Sequence, residues 1–356
     1  MRYKLLGKSG IRVSEVCLGT MTFGEEWEGM KVAAPRDECQ KIFDAFAQAG
    51  GNFIDTANYY NFGSSEKYLA DFIRAERERF VLATKYSLSM RPNDPNAGGN
   101  HRKNMVQSLE ASLRRLKTDY IDLYWLHAWD FTTPVNEVMH AFDDMVRAGK
   151  VLHIGISDTP AWIVAKANTI AQLRGWREFV GLQVPYSLVE RAVERELLPM
   201  ARDFSMSVAA WAPLGMGVLT GKYSKRNSTP ANGRLEGAEH PHLTAFTSER
   251  SFAIADKVQQ LAGELGRKPS QVALSWIRHK GAIPIVGARK AAQIVENIEC
   301  VDLNLSADQV RTLDEVSRIE MGFPHDFLQG DATRGQIFGE NVSRVDVTPR
   351  HGQEPV

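Results

Sequence analysis

Where several apolar runs of this sequence give out, they end on residues that can move or hold a proton. "NFIDTANYYNFGSSEKYLADFI" (52–73) opens as an apolar strand, reaches Asp55, and passes Tyr59 and Tyr60 before turning helical. "FVLATK" ends on Lys85 and "YIDLYWLH" on His127. Each alone has an ordinary reading: a terminal aspartate as a helix cap, a histidine as a satisfied core residue, a lysine as a solvated strand end. Together they carry a mechanism. A phenol with pKa near ~10 is a reluctant proton donor at neutral pH, and a neighbouring ammonium stabilises its phenolate. Lys85 beside Tyr60 would lower the phenol's pKa, with Asp55 keeping Lys85 charged and oriented. His127 would hydrogen-bond a substrate oxygen, so that Tyr60 acts as general acid on a carbonyl while hydride arrives from elsewhere.

These residues need a scaffold that brings distant strand ends together. Short apolar runs alternate with helical patterns to about residue 300: "VCLGT", "NFIDT", "FVLATK", "YIDLYWLH", "VLHIGIS", "FVGLQVPY", "MSVAAWAP" and "AIPIVGA". Several are apolar throughout, as strands covered on both faces are. Between them lie amphipathic stretches such as "DECQKIFDAFAQAG" and "HRKNMVQSLEASLRRL". In "NEVMHAFDDMVRAGK", Val138, Met139, Phe142 and Met145 fall at helical spacing, and Gly149 reads as a stop. The order predicts an α/β fold, a (β/α)8 TIM barrel, whose chemistry sits at the C-terminal ends of its strands. A doubly wound sheet competes, but "LGTMTFGEEWEG" does not fit the glycine fingerprint such a sheet carries after its first strand. The opening "YKLLGKSGIRVSEV" reads as a hairpin turning at Gly10 and plugging the barrel's bottom. A Gly/Pro-rich loop (215–248) follows the seventh barrel strand. Residues 1–318 are expected to form one domain, with 319–356 an irregular tail packed against it.

The 356 residues balance 43 Lys and Arg against 43 Asp and Glu, without a basic block. That argues against nucleic acid as a partner, which needs concentrated positive surface. No apolar run suits a signal peptide or a membrane span of ~20 residues. Cys17, Cys39 and Cys300 are scattered without metal-ligand spacing, as buried thiols of a cytoplasmic protein are. The expectation is a cytoplasmic protein acting on a small molecule, with no nucleic acid, membrane or metal partner.

From "LGKSGIRVSEVCLGTMTFG" to "GARKAAQIVENI" the chain resembles the aldo-keto reductase superfamily, particularly its aryl-alcohol dehydrogenase-like branch. The specific stretches are "FIDTANYYNFGSSEKYLADFI", "RLKTDYIDLYWLHAWD", "GKVLHIGIS" and "PLGMGVLTGKY". The resemblance implies a catalytic tetrad of Asp55, Tyr60, Lys85 and His127, with Tyr60 the proton donor. It implies NADP(H) bound across the barrel's top and a small carbonyl or alcohol as substrate. Thr20, Met21 and Asp55 would lie near the cofactor, and Ser157 and Gln183 would bond the carboxamide. Trp211 would stack on the nicotinamide; its ordinary alternative is a packing aromatic. Ala212, Pro213, Leu214, Gly215 and Met216 would line the pyrophosphate, with Lys222 and Arg234 adding positive charge. Gly287 ends the eighth barrel strand. Arg289 would meet the adenosine 2′-phosphate, unless it is an exposed arginine beginning a helix, and Gln293, Glu296 and Asn297 would surround the adenine end.

Two positions depart from the pattern. Asp158 stands where many relatives have asparagine, and an acid lacks the amide's donor; Gln293 stands where many have arginine. For substrate, Phe23, Trp27, Tyr86 and Trp129 lie just past strand ends and would build an apolar pocket, the alternative being packing at the barrel rim. Two other functions compete. The potassium-channel β subunits, which the chain also resembles around "AWAPLGMG", suggest a non-catalytic NADP(H)-sensing scaffold, but these depart from the catalytic pattern at the position of His127. A metal-dependent hydrolase would need two or three ligands at strand ends, and only His127 and Asp55 qualify.

Overall fold

The computed structural model describes residues 1–25, 33–223 and 245–345. Strands Tyr3–Leu5 (β1) and Arg12–Ser14 (β2) pair as an antiparallel hairpin. Eight further strands close a parallel barrel: Cys17–Gly19 (β3), Phe53–Asp55 (β4), Val81–Tyr86 (β5), Ile121–Leu126 (β6), Val151–Ser157 (β7), Phe179–Pro185 (β8), Ser207–Trp211 (β9) and Ile283–Val286 (β10). β10 pairs with both β9 and β3, which closes the ring. Every apolar run read from the sequence coincides with one of these strands, "FVLATK" stopping one residue short of the end of β5.

Helices surround the ring: Arg36–Gln48 (α1), Ser64–Phe72 (α2), Arg102–Leu116 (α3), Val135–Arg147 (α4), Ala161–Arg174 (α5) and Leu197–Asp203 (α6). Glu249–Glu264 (α7) and Pro269–His279 (α8) precede β10, and Ala291–Ile298 (α9) and Ala307–Val316 (α10) follow it. α4 shows why such stretches fold as they do. Val138, Met139, Phe142 and Met145 fall on one face and are buried, each worth about 1.5–3 kcal/mol in area removed from water. The chain leaves the helix through Gly149 at φ 72°, a conformation glycine adopts without steric cost.

Side chains alternate between two apolar clusters. Leu18, Ile54, Leu82, Tyr124, Leu126, Ile156 and Leu182 point outward among the helices. Cys17, Phe53, Val81, Ala83, Leu123, Trp125, Ala209, Ile283 and Ile285 fill the interior. Burial on both faces is why these strands read as continuous apolar runs. Trp125 is the largest interior side chain, and two glycines make room for it. A Cβ on Gly155 would fall 2.3 Å from Trp125 Cε3, and one on Gly181 would fall 2.8 Å from Cη2.

The hairpin does plug the bottom: Leu6 and Val13 join the interior cluster. Its turn depends on Gly7 rather than Gly10. Gly7 has φ 56°, and a Cβ there would meet Val180 O at 2.2 Å, whereas nothing lies within 4 Å of one built on Gly10.

The chain beyond Arg318 is helical where the sequence suggested irregular structure. His325–Gln329 (α11) and Asp331–Phe338 (α12) are too short to show a period, and Gly330 and Gly339 bound them. Arg195 donates to Glu320 O at 3.1 and 2.7 Å, and His325 Nε2 lies 2.9 Å from Glu196 Oε1, which ties this segment to the loop after β8. Among the described residues no helix is long and apolar enough to cross a membrane.

Candidate active site

The interior alternation continues past the packed layers and turns polar. Asp55, Lys85, His127, Ser157, Gln183 and Trp211 each stand two residues beyond an inward position, respectively Phe53, Ala83, Trp125, Gly155, Gly181 and Ala209. The side-chain period of two therefore aims all six at one space.

Lys85 organises them. Its ammonium is fully buried and donates to Asp55 Oδ2 at 2.5 Å, Thr56 O at 2.9 Å and Tyr60 Oη at 2.9 Å. An ammonium has three N–H donors and no acceptor, so all three are used. Tyr60 must accept from Lys85 and give its own proton elsewhere. A tight turn holds the phenol there. Asn61, Phe62 and Gly63 are left-handed in succession, with φ 47°, 51° and 90°, and Asn61 Nδ2 donates to Met21 O at 2.9 Å. Thr20 Oγ1 donates to Asp55 O at 3.0 Å, and Ser65 Oγ lies 2.9 Å from both Thr20 Oγ1 and Thr56 Oγ1. The Tyr60 and His127 rings meet edge to face with centroids 5.9 Å apart.

The electrostatics follow from burial opposed by this network. Burial works against the Lys85 charge, but Asp55 and Tyr60 outweigh it, and the pKa is raised. Burial also raises the Tyr60 pKa, and Lys85 only partly offsets this. The sequence-based expectation of a net lowered phenol is therefore corrected: desolvation of the phenolate exceeds its attraction to Lys85 and Tyr60 keeps its proton. Burial and then the Lys85 charge drive the His127 pKa well down, so the imidazole is neutral. Its Nδ1 is buried without a hydrogen-bond partner. Burial pushes Asp158 up to about 6, against a hydrogen bond from the Trp211 indole and the attraction of Lys85.

A cavity of about 470 Å³ extends from this network to the N-terminus of α9. Thr20, Met21, Asp55, Tyr60, His127, Ser157, Asp158, Gln183 and Trp211 line its inner part. Ala212, Pro213, Leu214, Met216, Lys222, Gly287, Arg289, Gln293, Glu296 and Asn297 line the rest. Gly215 packs beneath, where a Cβ would lie 2.6 Å from Val189 Cγ2. Trp27 and Arg234 lie outside the described residues.

Three substrate-pocket expectations are corrected. Tyr86 follows the inward Lys85 and so points outward. It is fully buried, stacks on Tyr124 at 5.4 Å and donates to Asn100 O at 3.2 Å. Phe23 is fully buried against Phe72, with centroids 6.2 Å apart. Trp129 is half-buried against the outer cluster and is not part of the cavity wall. Tyr59 and Leu88 line the cavity instead. Leu88 sits in an irregular loop that carries no periodic signal; the doubled tyrosine in "NYYNFG" was the available hint for Tyr59.

At the far end, Gln293 is engaged in its own helix. Its Oε1 accepts from Arg289 N at 2.9 Å and Lys290 N at 3.2 Å, capping α9. Glu38 Oε1 accepts from Ala291 N at 2.7 Å. Glu296 meets Ser270 Oγ at 3.3 Å, and Ser270 is a further wall residue outside the sequence expectation.

Known proteins are similar to this chain in sequence. A profile of the Aldo/keto reductase family matches residues 15–318. Norsolorinic acid reductase of Aspergillus flavus is 36% identical over 96% of this chain and 87% of its own length. Aldo-keto reductase ausK of Aspergillus calidoustus is 34% identical, over 93% of this chain and 85% of its own. An aryl-alcohol dehydrogenase of Pestalotiopsis microspora is 35% identical, over 92% and 85%. The family generally uses NAD(P)H and acts on small carbonyl substrates. With the match spanning the barrel and every strand end that builds the site, this chain belongs to the Aldo/keto reductase family and is an oxidoreductase.

Proposed function

We propose that this enzyme reduces aldehydes or ketones, aromatic or aliphatic, to alcohols with NADP(H), and that Tyr60 supplies the proton. The observation that carries the reading is Tyr60 Oη, 2.9 Å from Lys85 Nζ, on the cavity wall with neutral His127. A carbonyl oxygen placed between Tyr60 and His127 would receive a hydrogen bond from each, which polarises the carbonyl. When bound, the reduced nicotinamide supplies hydride to the carbonyl carbon. The Tyr60 proton then passes to the oxygen, and the phenolate left behind is held by Lys85, whose charge Asp55 maintains. Burial keeps Tyr60 protonated before the step, and Lys85 lowers the free energy of the phenolate after it.

The wall fits a nicotinamide dinucleotide. Asp55 only accepts, so Gln183 must turn its Nε2 to Asp55 Oδ1, at 2.9 Å, leaving Oε1 for a carboxamide N–H. Ser157 Oγ is buried without a well-formed hydrogen bond and would donate to the carboxamide oxygen. Trp211 offers its indole beside them. At the other end, amides at the start of α9 are already capped by Gln293 and Glu38, so preference for a 2′-phosphate rests on side-chain charge, chiefly Arg289. The relatives named for norsolorinic acid and for aryl alcohols support an aromatic carbonyl.

Initial rates over a panel of aliphatic and aromatic aldehydes, with NADPH and with NADH, test this. Aldehyde-dependent oxidation is expected with NADPH at lower cofactor concentration than with NADH. In Arg289→Ala, NADPH affinity should fall roughly ten- to a hundredfold, the worth of one charge-assisted contact, while NADH affinity changes little. No turnover with either cofactor would refute the reductase reading. Equal losses for both cofactors would remove Arg289 from the 2′-phosphate.

A further inference from the structure

Asp158 is held by more contacts than a turn requires. It lies one residue past β7 in the left-handed region, at φ 42°. Its N–H donates to Gln183 O within β8 at 3.4 Å, and its carbonyl accepts from Trp129 N after β6 at 3.4 Å. Its Oδ1 accepts from Trp211 Nε1 at the end of β9 at 3.0 Å. Backbone bonds to β8 and to the segment after β6 thus fix the residue, and its carboxyl holds the indole at the end of β9.

That bond bears on the site. Trp211 and Asp158 both line the cavity, and the indole is only partly covered by the interior cluster. A hydrogen bond at one ring edge removes the indole's freedom to rotate, which packing on a single side cannot do alone. We propose that Asp158 is a positioning residue: it fixes the plane of Trp211 across the cavity and thereby sets how tightly a flat heteroaromatic ring is held there. The proposal rests on the reading of the cavity as a nicotinamide dinucleotide site. Asparagine at 158 would accept the same N–H and tolerate the same backbone; the acid adds charge to the bond, and charge-assisted bonds are the stronger. The charged and titratable groups around Asp158 are Lys85 from β5, which attracts it, and Tyr60 from the loop after β4, on which it acts. Its carboxyl is pushed up to about 6, so the charged form of the bond is lost on mild acidification.

The test is a cycle of dissociation constants for NADPH in the full-length protein. Asp158→Gly deletes the carboxyl and suits the left-handed backbone, so folding survives, as a melting curve will verify. It should weaken NADPH binding about tenfold. Asp158→Asn should recover affinity to within about threefold at neutral pH. In a Trp211→Phe background, which has no N–H to hold, Asp158→Gly should change affinity less than about twofold, since the two residues act as one unit. Wild-type affinity should fall as pH drops through about 6 more steeply than that of Asp158→Asn; titration of the dinucleotide's own phosphate is common to both. Equal losses in the wild-type and Trp211→Phe backgrounds, an unchanged constant in Asp158→Gly, or identical pH profiles would overturn the proposal. A wild-type protein that binds no NADPH would instead refute the dinucleotide reading, and this inference with it.

Discussion

The lower and upper halves of the barrel interior follow one inward register yet are made of opposite chemistry. Below, Leu6, Val13, Phe53, Val81, Leu123 and Trp125 form a sealed apolar plug. Two residues further along the same strands stand a buried ammonium, a carboxylate, a neutral imidazole and an amide. The lower half gains stability chiefly from apolar burial. In the upper half burial opposes the charge of Lys85 and Asp158, raises Tyr60 and depresses His127. Those shifts keep Tyr60 protonated and His127 neutral while Lys85 stays charged. Stability and function are divided by height in one barrel.

The largest effect should come from the plug. Trp125→Ala is expected to destabilise by about 3–5 kcal/mol, the range for truncating a buried aromatic. The glycines facing it sharpen the point. Gly155→Ala should destabilise the wild type, where the added Cβ would fall 2.3 Å from Trp125, and should be neutral or stabilising in the Trp125→Ala background, where it fills space. Denaturant melts of the four proteins check this. Additive effects of the two substitutions would mean that Trp125 and Gly155 do not share the interior as described.

A smaller effect of opposite sign should come from above. Asp158 in the folded protein titrates near about 6, raised by burial from the usual carboxylate value. Between the unfolded and folded pKa the folded state holds the extra proton, so stability declines as pH rises through that window. Below about pH 4 the term vanishes and above about 7 it is constant; because Asp158 is exposed at the cavity, solvent screening keeps the term small. Asp158→Asn, which never ionises, should therefore be more stable than wild type at pH 8 and match it more closely at pH 4. A difference that does not change with pH would show that the carboxylate is not held against burial.

The sequence made the frame legible because strands covered on both faces are apolar throughout, and because period-two side chains must alternate. That rule alone separates Lys85 from Tyr86: one turned in, the other out. The same alternation puts Tyr86 in the outer core, away from the pocket. Phe23, Trp129 and Leu88 follow no such rule, since they lie in irregular segments whose direction is set by tertiary packing. The Tyr60 pKa was also out of reach, being a balance between Lys85 and desolvation that needs burial to evaluate. The capping bond from Arg289 N to Gln293 was not legible because it exists only once α9 has formed. Asp158 stood out as a misfit for a carboxamide; its indole partner, 53 residues away in the chain, appears only when β7 and β9 come to the same rim.

The measurement that tests the division most directly is Tyr60→Phe, read twice. The substitution removes the hydroxyl but keeps the ring. Turnover of a good aldehyde under conditions where chemistry limits the rate should fall by at least ~10²–10⁴, the contribution typical of a general acid, while NADPH affinity and the melting temperature stay near wild type. A mutant that keeps more than about a tenth of wild-type turnover would take the proton donation away from Tyr60. A mutant that loses stability in proportion to activity would contradict the separation of a lower half for folding from an upper half for chemistry.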